Sequence, residues 1–229
     1  EEFYFEGLAT SAIHDQAREQ CIPFSYLAID EKGNYYRVGQ WEITLPDADG
    51  SANQTNTFVV TSDNVLCSYS HTPDSGSVPK TIIIPSKIGP LEINILGEGV
   101  FLNKCNLETV VIPNTVNEIR DRVFQGCHKL RDVIFDEFDG KNVTVGSDAF
   151  LTQFVSGSHD GSCGGSIDTP SEKHLCITGP VSAEFGPYRY AMTEGNYFTS
   201  GSQAKQYITY YSGWPQNLEI RYNEETHLS

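Results

Sequence analysis

The sequence has no apolar run long enough to cross a membrane, since its longest aliphatic stretch falls at about Thr81–Ile84 and a helical span needs about 20 residues. It is also poor in basic residues, with 15 Lys and Arg against 30 Asp and Glu and a formal net charge of −15. Binding to a phosphate backbone requires clustered Lys and Arg, and the sequence contains no such cluster. We therefore expect neither membrane insertion by this segment nor a nucleic-acid partner.

Cysteine is sparse and irregularly spaced. The six Cys stand at positions 21, 67, 105, 127, 163 and 176, which fits neither a zinc knuckle nor a dense disulfide framework. Two pairings stay open, Cys105 with Cys127 and Cys163 with Cys176. For Cys105 and Cys127 we favour free thiols.

Methionine occurs once, whereas Tyr and Phe occur twelve times each, and this composition favours a β-rich body. The chain begins with Glu-Glu-Phe, without a Met or a cationic segment ahead of an apolar core. We expect either that a signal has been removed or that the segment was cut from a larger exported protein.

The middle of the chain carries one short pattern three times. Each copy places an aliphatic residue five positions before a Phe, with a small or β-branched residue directly ahead of that Phe. The copies are LGEGVF (Leu96–Phe101), IRDRVF (Ile119–Phe124) and VGSDAF (Val145–Phe150), and between them lie LETVVIP (Leu107–Pro113) and LRDVIF (Leu130–Phe135). A period of 23 to 26 residues is typical of a solenoid, whose units bury their apolar sides only by stacking.

Alternation within each repeat predicts which residues face the core. Segments Thr81–Pro85, Thr109–Pro113 and Val133–Phe135 alternate with period two, as in a strand with one buried face. The predicted core residues of these strands are Ile82, Ile84, Val110, Ile112, Val133 and Phe135. A second wall of the core is predicted at Ile93, Leu96, Phe101, Val116, Ile119, Phe124, Val143, Val145 and Phe150.

This pattern resembles the leucine-rich repeats of the BspA-like type, found in large surface proteins of bacteria and some protists. The form L-x-x-V-x-I-P-x-x-V-x-x-I-x-x-x-V-F-x-x-C-x-x-L is read directly at Leu107–Leu130, with Cys127 in its place. The first copy departs from it through an insert at Ser86–Glu92 and a Cys105 that comes one residue late. The third copy lacks the Pro after Phe135 and lacks the Cys. The resemblance covers about residues 78–150 and implies an α/β, β-rich fold, a short right-handed solenoid with a parallel sheet.

The flanking segments predict cap-like units and antiparallel β-hairpins. Near the start, Phe3–Gly7 is strand-like and Ser11–Gln20 is helical with Ser11 as N-cap; near the end, Leu175–Gly179 is strand-like and Tyr188–Glu194 is short and helical. Such end units would cover the exposed core of a solenoid. Hairpins are predicted around Glu31–Asn34 and around residues 62–64, and further strands at Gln206–Tyr211 and Leu218–Tyr222.

We therefore divide the chain into three parts. Residues 1–56 form an N-terminal cap-like unit with a β-hairpin, and residues 57–198 form the solenoid with a C-terminal cap. Residues 199–229 form a C-terminal β extension or the start of another unit.

The face of the repeat strands that points away from the core is the candidate binding surface. Its aliphatic residues alternate out of phase with the core residues, and polar residues flank them. The candidate ligand-binding residues are Thr81, Ile83, Thr109, Val111, Asp132 and Ile134. An exposed stripe of this kind can mark a protein-binding surface. The alternative is that the N-terminal β segment or a neighbouring domain covers it.

The remaining motifs predict neither catalysis nor a metal site. Cys127 and His128 adjoin, but adjacent side chains point apart and Cys127 stands at a core-facing position of the repeat. Asp47-Ala48-Asp49-Gly50 with Asn53 matches part of a calcium loop without the full series of oxygen ligands or the terminal Glu, so a solvated turn is favoured. We expect no enzyme activity, no cofactor and no metal.

The residues and the resemblance together favour a non-catalytic binding module of a secreted or cell-surface bacterial protein, acting in protein recognition or adhesion. Its expected partners are surface proteins of host or neighbouring cells. The alternative is a carbohydrate-binding module in which Trp41, Trp214 and the Tyr residues of the flanks stack on sugar rings, although filling small cores is the simpler use of these side chains.

Overall fold

The computed structural model describes residues 3–48, 54–72, 79–127, 129–130, 132–136, 143–146 and 149, together with the backbone of strands at 174–178 and 217–221. These residues form one helix, α1 (Ala12–Glu19), and strands that we number in chain order. The strands are β1 (Phe5–Leu8), β2 (Phe24–Ile29), β3 (Tyr35–Pro46), β4 (Thr55–Thr61), β5 (Val65–Thr72), β6 (Thr81–Ile83), β7 (Lys87–Ile88), β8 (Leu91–Glu92), β9 (Ile95–Leu96), β10 (Thr109–Ile112), β11 (Glu118–Ile119), β12 (Asp132–Phe135), β13 (Thr144–Val145), β14 (His174–Thr178) and β15 (Asn217–Arg221).

Two sheets enclose the core. The eight-stranded sheet has the order β1-β2-β3-β4-β5-β9-β11-β13, and the five-stranded sheet has the order β15-β14-β12-β10-β6. Each repeat contributes one strand to each sheet, and equivalent strands pair in parallel without a shift of the repeat register. Thr109 pairs with Thr81 on one side and with Asp132 on the other. The fold is thus the expected β-rich solenoid with parallel sheets, and β15 lies parallel to β14 within it.

The core residues predicted from the alternation are buried, and Phe150 lies outside the described residues. The inward-facing residues of the strands and of the turns between them have at most 6 % of their surface exposed. They include Ile82, Ile84, Ile93, Leu96, Phe101, Val110, Ile112, Val116, Ile119, Phe124, Val133, Phe135, Val143 and Val145. The two sheets therefore share one apolar interior, as stacking of the repeats requires.

An aromatic ladder joins the N-terminal strands to this interior. The ring centroids of Phe58 and Tyr69 are 5.3 Å apart, those of Tyr69 and Phe101 are 5.0 Å apart, and those of Phe101 and Phe124 are 5.4 Å apart. The first two ring pairs are tilted and the third is stacked, and aromatic contacts at these distances add to the free energy gained from burial. The predicted Phe column of the repeats therefore continues into β4 and β5.

The N-terminal elements have the expected local structure. Ser11 caps α1, and its hydroxyl accepts a hydrogen bond from the backbone N–H of His14 at 3.3 Å. The turn between β2 and β3 is closed by Asp30, whose carboxylate accepts from the backbone N–H groups of Lys32 (2.9 Å) and Asn34 (2.8 Å). Strands β2 and β3 pair antiparallel, as do β4 and β5, so both predicted hairpins are present.

The insert in the first repeat folds back on the N-terminal sheet. Strands β7 and β8 pair around Gly89, which has φ +55°. A Cβ atom at Gly89 would lie 2.5 Å from Cε3 of Trp41, so this position requires Gly both for its backbone conformation and for the close approach. The ring of Tyr4 packs on the same indole, with a centroid distance of 4.6 Å. Trp41 of β3 therefore packs against the insert.

Candidate functional site

The six candidate residues form two rows across the five-stranded sheet. Their strands pair in one register, because the repeats stack without a shift. One row contains Ile83, Val111 and Ile134, and the other contains Thr81, Thr109 and Asp132. We call these six residues the outer stripe. The structure therefore brings together residues that are up to 53 positions apart in the sequence.

Exposure separates the two faces of the same strands. Ile83 has 53 % of its surface exposed, whereas its neighbours Ile82 and Ile84 have 0 % and 3 %. The other five residues of the outer stripe are half-buried. An aliphatic row flanked by hydroxyl groups and a carboxylate resembles the centre and rim of a protein-binding surface.

The N-terminal strands extend the other sheet. Strand β5 pairs in parallel with β9, so β1 to β5 continue the eight-stranded sheet and not the five-stranded one. The alternative prediction is that the N-terminal β segment covers the outer stripe. In the part of the chain that the structure describes, more than half of the surface of Ile83 is exposed, so that segment does not cover this residue. For Ile83, the outward position therefore gives an exposed aliphatic side chain.

A buried carboxylate cluster lies beneath α1, which packs against β1 and β3. The Glu42 side chain on β3 is 3 % exposed and accepts hydrogen bonds from His14 Nε2 at 2.9 Å, from Arg18 Nε at 2.7 Å and from the Tyr26 hydroxyl. Burial opposes ionisation of Glu42, but the hydrogen bonds from Arg18, Tyr26 and His14 outweigh it and leave the pKa of Glu42 below its usual value. Burial raises the pKa of Tyr26, and the bond to Glu42 raises it further.

Hydrogen bonds from His14, Arg18 and Tyr26 satisfy the buried carboxylate and so stabilise the fold. Each polar group of this cluster is used by another, and the Glu42 side chain that they surround is almost fully buried. Sequence reasoning missed it because His14 and Glu42 are 28 residues apart and belong to elements of different type. The signal in the sequence is the position of Glu42 between the apolar residues Trp41 and Ile43 of a predicted strand.

A second polar cluster lies where the C-terminal end of β3 meets β4 and β5. Asn56 donates to Asp47 Oδ1 at 3.1 Å and accepts from the Tyr69 hydroxyl at 2.6 Å. The second carboxylate oxygen of Asp47 lies 3.6 Å from His71 Nε2, and neither atom has a hydrogen-bond partner among the described residues. Asp47 is only 6 % exposed, so the expectation of a solvated turn is wrong for this residue.

Neither cluster assembles a metal site from the described residues, where no group of three or more His, Cys, Asp or Glu side chains converges. Of the calcium-like motif, Asp47 is held by Asn56, and Asp49, Gly50 and Asn53 lie outside the described residues. The described part also contains no helix of sufficient length and apolar character to span a membrane.

The cysteines follow the repeat and not a catalytic arrangement. Cys127 is a free thiol with no exposed surface, and burial raises its pKa to about 12. A thiol in this state is inert as a nucleophile near neutral pH. Cys105 is disulfide-bonded, so the expectation of a free thiol is correct for Cys127 and wrong for Cys105. Because Cys127 is free, a Cys105–Cys127 disulfide is excluded.

Several residues weighed from the sequence lie outside the part of the chain whose side chains the structure describes. They are His128, Cys163, Cys176 and Trp214. Among the residues with described side chains, the candidate groups are the outer stripe and the two buried clusters.

A comparison with known protein families agrees with the repeat pattern. The family described as "BspA type Leucine rich repeat region" matches residues 80–154 with six copies. A solved structure of a leucine rich cell surface protein from Faecalibacterium prausnitzii matches 44 % of this chain at 26 % identity with a TM-score of 0.33, and the match spans 27 % of that protein's chain. A comparison with curated proteins found no match. Residues 80–154, which contain the outer stripe, are therefore a BspA-type leucine-rich-repeat region.

Proposed function

We propose that the chain is a non-catalytic binding module of a secreted or cell-surface bacterial protein, and that the outer stripe is its protein-binding surface. The observation that carries this proposal is the register of Ile83, Val111 and Ile134 on a sheet face opposite the core. Leucine-rich repeats typically serve as non-catalytic binding modules.

The composition of the outer stripe supports a protein partner. Its aliphatic row offers apolar area that a partner can remove from water at about 25 cal/mol per Å². Thr81, Thr109 and Asp132 offer hydroxyl and carboxylate groups beside that row, where a polar rim fixes orientation. The acidic chain favours a partner surface that is neutral or basic.

The disulfide at Cys105 supports placement outside the cell. Disulfides persist in oxidising environments and are rare in the cytosol. The proposed partners are accordingly surface proteins of host or neighbouring cells.

The test measures binding of the labelled chain to intact epithelial and bacterial cells by flow cytometry. We expect Ile83→Asp and Ile83→Asp with Val111→Asp to lower binding at least tenfold without a change in fold, because a carboxylate in the row would be desolvated by the partner. The matched control is Val38→Asp, since Val38 is a similarly exposed aliphatic residue (43 %) away from the outer stripe. Equal binding by wild type and the Ile83→Asp variants would reject the stripe as the site.

A second candidate, carbohydrate binding, is favoured by aromatic residues on the β2–β3 hairpin. Tyr35 and Tyr36 are 64 % and 53 % exposed, whereas the indole ring of Trp41 packs against Tyr4 and Gly89. Exposed aromatic faces of this kind can stack on sugar rings. Treating the cells with protease or with glycosidases separates the two functions. Binding that survives protease but is lost on deglycosylation, and in Tyr35→Ala with Tyr36→Ala, would favour the carbohydrate.

A further inference from the structure

The five-stranded sheet ends at β6, whose outer edge pairs with no described strand. Toward β10, the carbonyl of Lys80 accepts from the N–H of Thr109 at 2.9 Å, and the N–H of Ile84 donates to the carbonyl of Val111 at 3.0 Å. A strand directs the backbone groups of successive residues to opposite edges. Residues 80, 82 and 84 therefore bond to β10, and the N–H and C=O groups of Thr81 and Ile83 point to the outer edge.

The outward groups of Thr81 and Ile83 form no hydrogen bond to another segment of the described chain. Backbone N–H and C=O groups are strong hydrogen-bonding groups, so among the described residues this edge offers unpaired donors and acceptors. Ile83 is also the most exposed residue of the outer stripe because it is the last of its row. The outer edge of β6 and the outer stripe thus share Thr81 and Ile83.

We propose that β6 accepts an extended segment of a partner protein as an additional parallel strand. This rests on the protein-binding function proposed above and specifies the partner. One partner residue would lie opposite Ile82, with its N–H donating to the carbonyl of Thr81 and its carbonyl accepting from the N–H of Ile83. Partner residues two positions before and after it would bond to the remaining N–H of Thr81 and C=O of Ile83.

The surroundings of β6 define the chemistry of that strand. Pro79 and Pro85 bracket β6, and since Pro cannot donate to a ladder the added strand pairs over only a few residues. A β-branched or other aliphatic residue would continue the row of Ile83 and Val111, and a polar one would continue the row of Thr81. A second copy of this chain is disfavoured, since each copy carries a formal charge of −15. The occupant is therefore a neutral or basic segment of a different protein.

The probe is a phage-displayed library of nine-residue linear peptides, selected on the folded chain. The consensus peptide is then synthesised, and its Kd is measured by fluorescence anisotropy. We expect alternating aliphatic sequences whose affinity for Ile83→Pro is at least about tenfold weaker than for wild type. Pro removes the outward N–H and leaves the bonds to β10, and edge strands accept Pro at such a position. Because Pro also replaces the Ile83 side chain, the methylated peptides below isolate the backbone contribution. The matched control Ile83→Val keeps the backbone amide and an aliphatic side chain. Because no hydrogen bond is lost, we expect its Kd to stay within about twofold of wild type.

Methylated peptides test the same geometry on the wild-type chain, and they decide the matter if Ile83→Pro fails to fold. N-methylation of the peptide residue opposite Ile82 should weaken binding at least tenfold, and N-methylation of the next residue, whose N–H points away, should not. Equal effects of the two methylations would overturn strand addition.

Two further outcomes separate this inference from the proposed function. If the peptides lose affinity for Ile83→Asp but not for Ile83→Pro, they bind on the face of the sheet and not at its edge. That result overturns strand addition but is consistent with protein binding by the outer stripe. A library without any binder, or self-association by light scattering that Ile83→Pro abolishes, also overturns the inference. Cell binding by the Ile83→Asp variant tests the proposed function independently of all these results.

Discussion

The carboxylate of Glu42 is held by three side chains, and its ionised form stabilises the fold. His14, Arg18 and Tyr26 all bond to it, although the carboxylate has almost no contact with water. Hydrogen bonds to a charged group contribute more than neutral ones, and a buried charge without partners is costly. These bonds tie His14 and Arg18 of α1 to Glu42 on β3.

We expect Glu42→Gln to lower the free energy of unfolding at pH 7 by about 2 kcal/mol, the worth of hydrogen bonds to a charged group. The pKa of Glu42 is lowered in the folded state, so its contribution is present above the unfolded pKa, about 4.3, and is lost as pH falls through the folded value. Urea unfolding of wild type and variant should therefore differ at pH 7 and converge at acidic pH.

The control for this prediction is Glu6→Gln, which breaks the solvent-exposed ion pair between Glu6 and Arg37 (2.6 Å). Exposed pairs contribute little, so this variant should unfold like wild type. A difference between wild type and Glu42→Gln that persists unchanged at acidic pH would contradict the assignment to the ionised carboxylate.

At the scale of elements, the β7–β8 hairpin depends on a single close approach. Gly89 has a positive φ and leaves no space for a Cβ beside Trp41, whereas Gly33 in the β2–β3 turn has φ +84° and nothing within 4 Å. The two glycines share the backbone requirement and differ in the packing requirement. They therefore form a matched pair.

We expect Gly89→Ala to lower the free energy of unfolding by about 2 kcal/mol or more, through left-handed backbone strain together with overpacking against Trp41. Gly33→Ala should cost about 1 kcal/mol, from the backbone alone. Thermal and urea unfolding measure both. Equal losses in the two variants would show that Trp41 moves aside at no cost.

At the scale of the whole molecule, one apolar core extends from Phe58 on β4 through the repeats to Ala149. The β3–β4 pairing crosses the predicted boundary between residues 56 and 57, and strand β4 (Thr55–Thr61) itself spans that boundary. Whether residues 1–56 fold on their own stays a prediction. The continuous core favours unfolding of both parts in one transition.

We expect two probes to report the same urea midpoint. Fluorescence of Trp41 in a Trp214→Phe background follows the N-terminal sheet, and peptide-resolved alkylation of Cys127 follows the repeats, because that thiol has no exposed surface when folded. Phe101→Ala should shift both midpoints together, with a loss of about 3–5 kcal/mol. Separate midpoints would instead support independent units on the two sides of residue 56.

Local features of this chain were predictable because their physical causes are local. The cap at Ser11, the turn at Asp30 and the alternation at Ile82 and Ile83 depend on residues only a few positions apart. Contacts between distant residues were not predictable: His14 with Glu42, Trp41 with Gly89 and Tyr69 with Phe101 are set by how the elements pack. No pattern in one sequence specifies those pairings.

The sequence by itself determined the register of the repeats. Apolar residues at a fixed period bury their surface only when equivalent positions stack, so the rows of the core and of the outer stripe follow from spacing alone. The tertiary structure decided where each sheet ends. The N-terminal strands continue the sheet of β9, where Tyr69 of β5 packs its ring against Phe101 of the core, and no described strand pairs with the outer edge of β6. With the N-terminal strands placed on the other sheet, Ile83 at the end of its row keeps 53 % of its surface exposed.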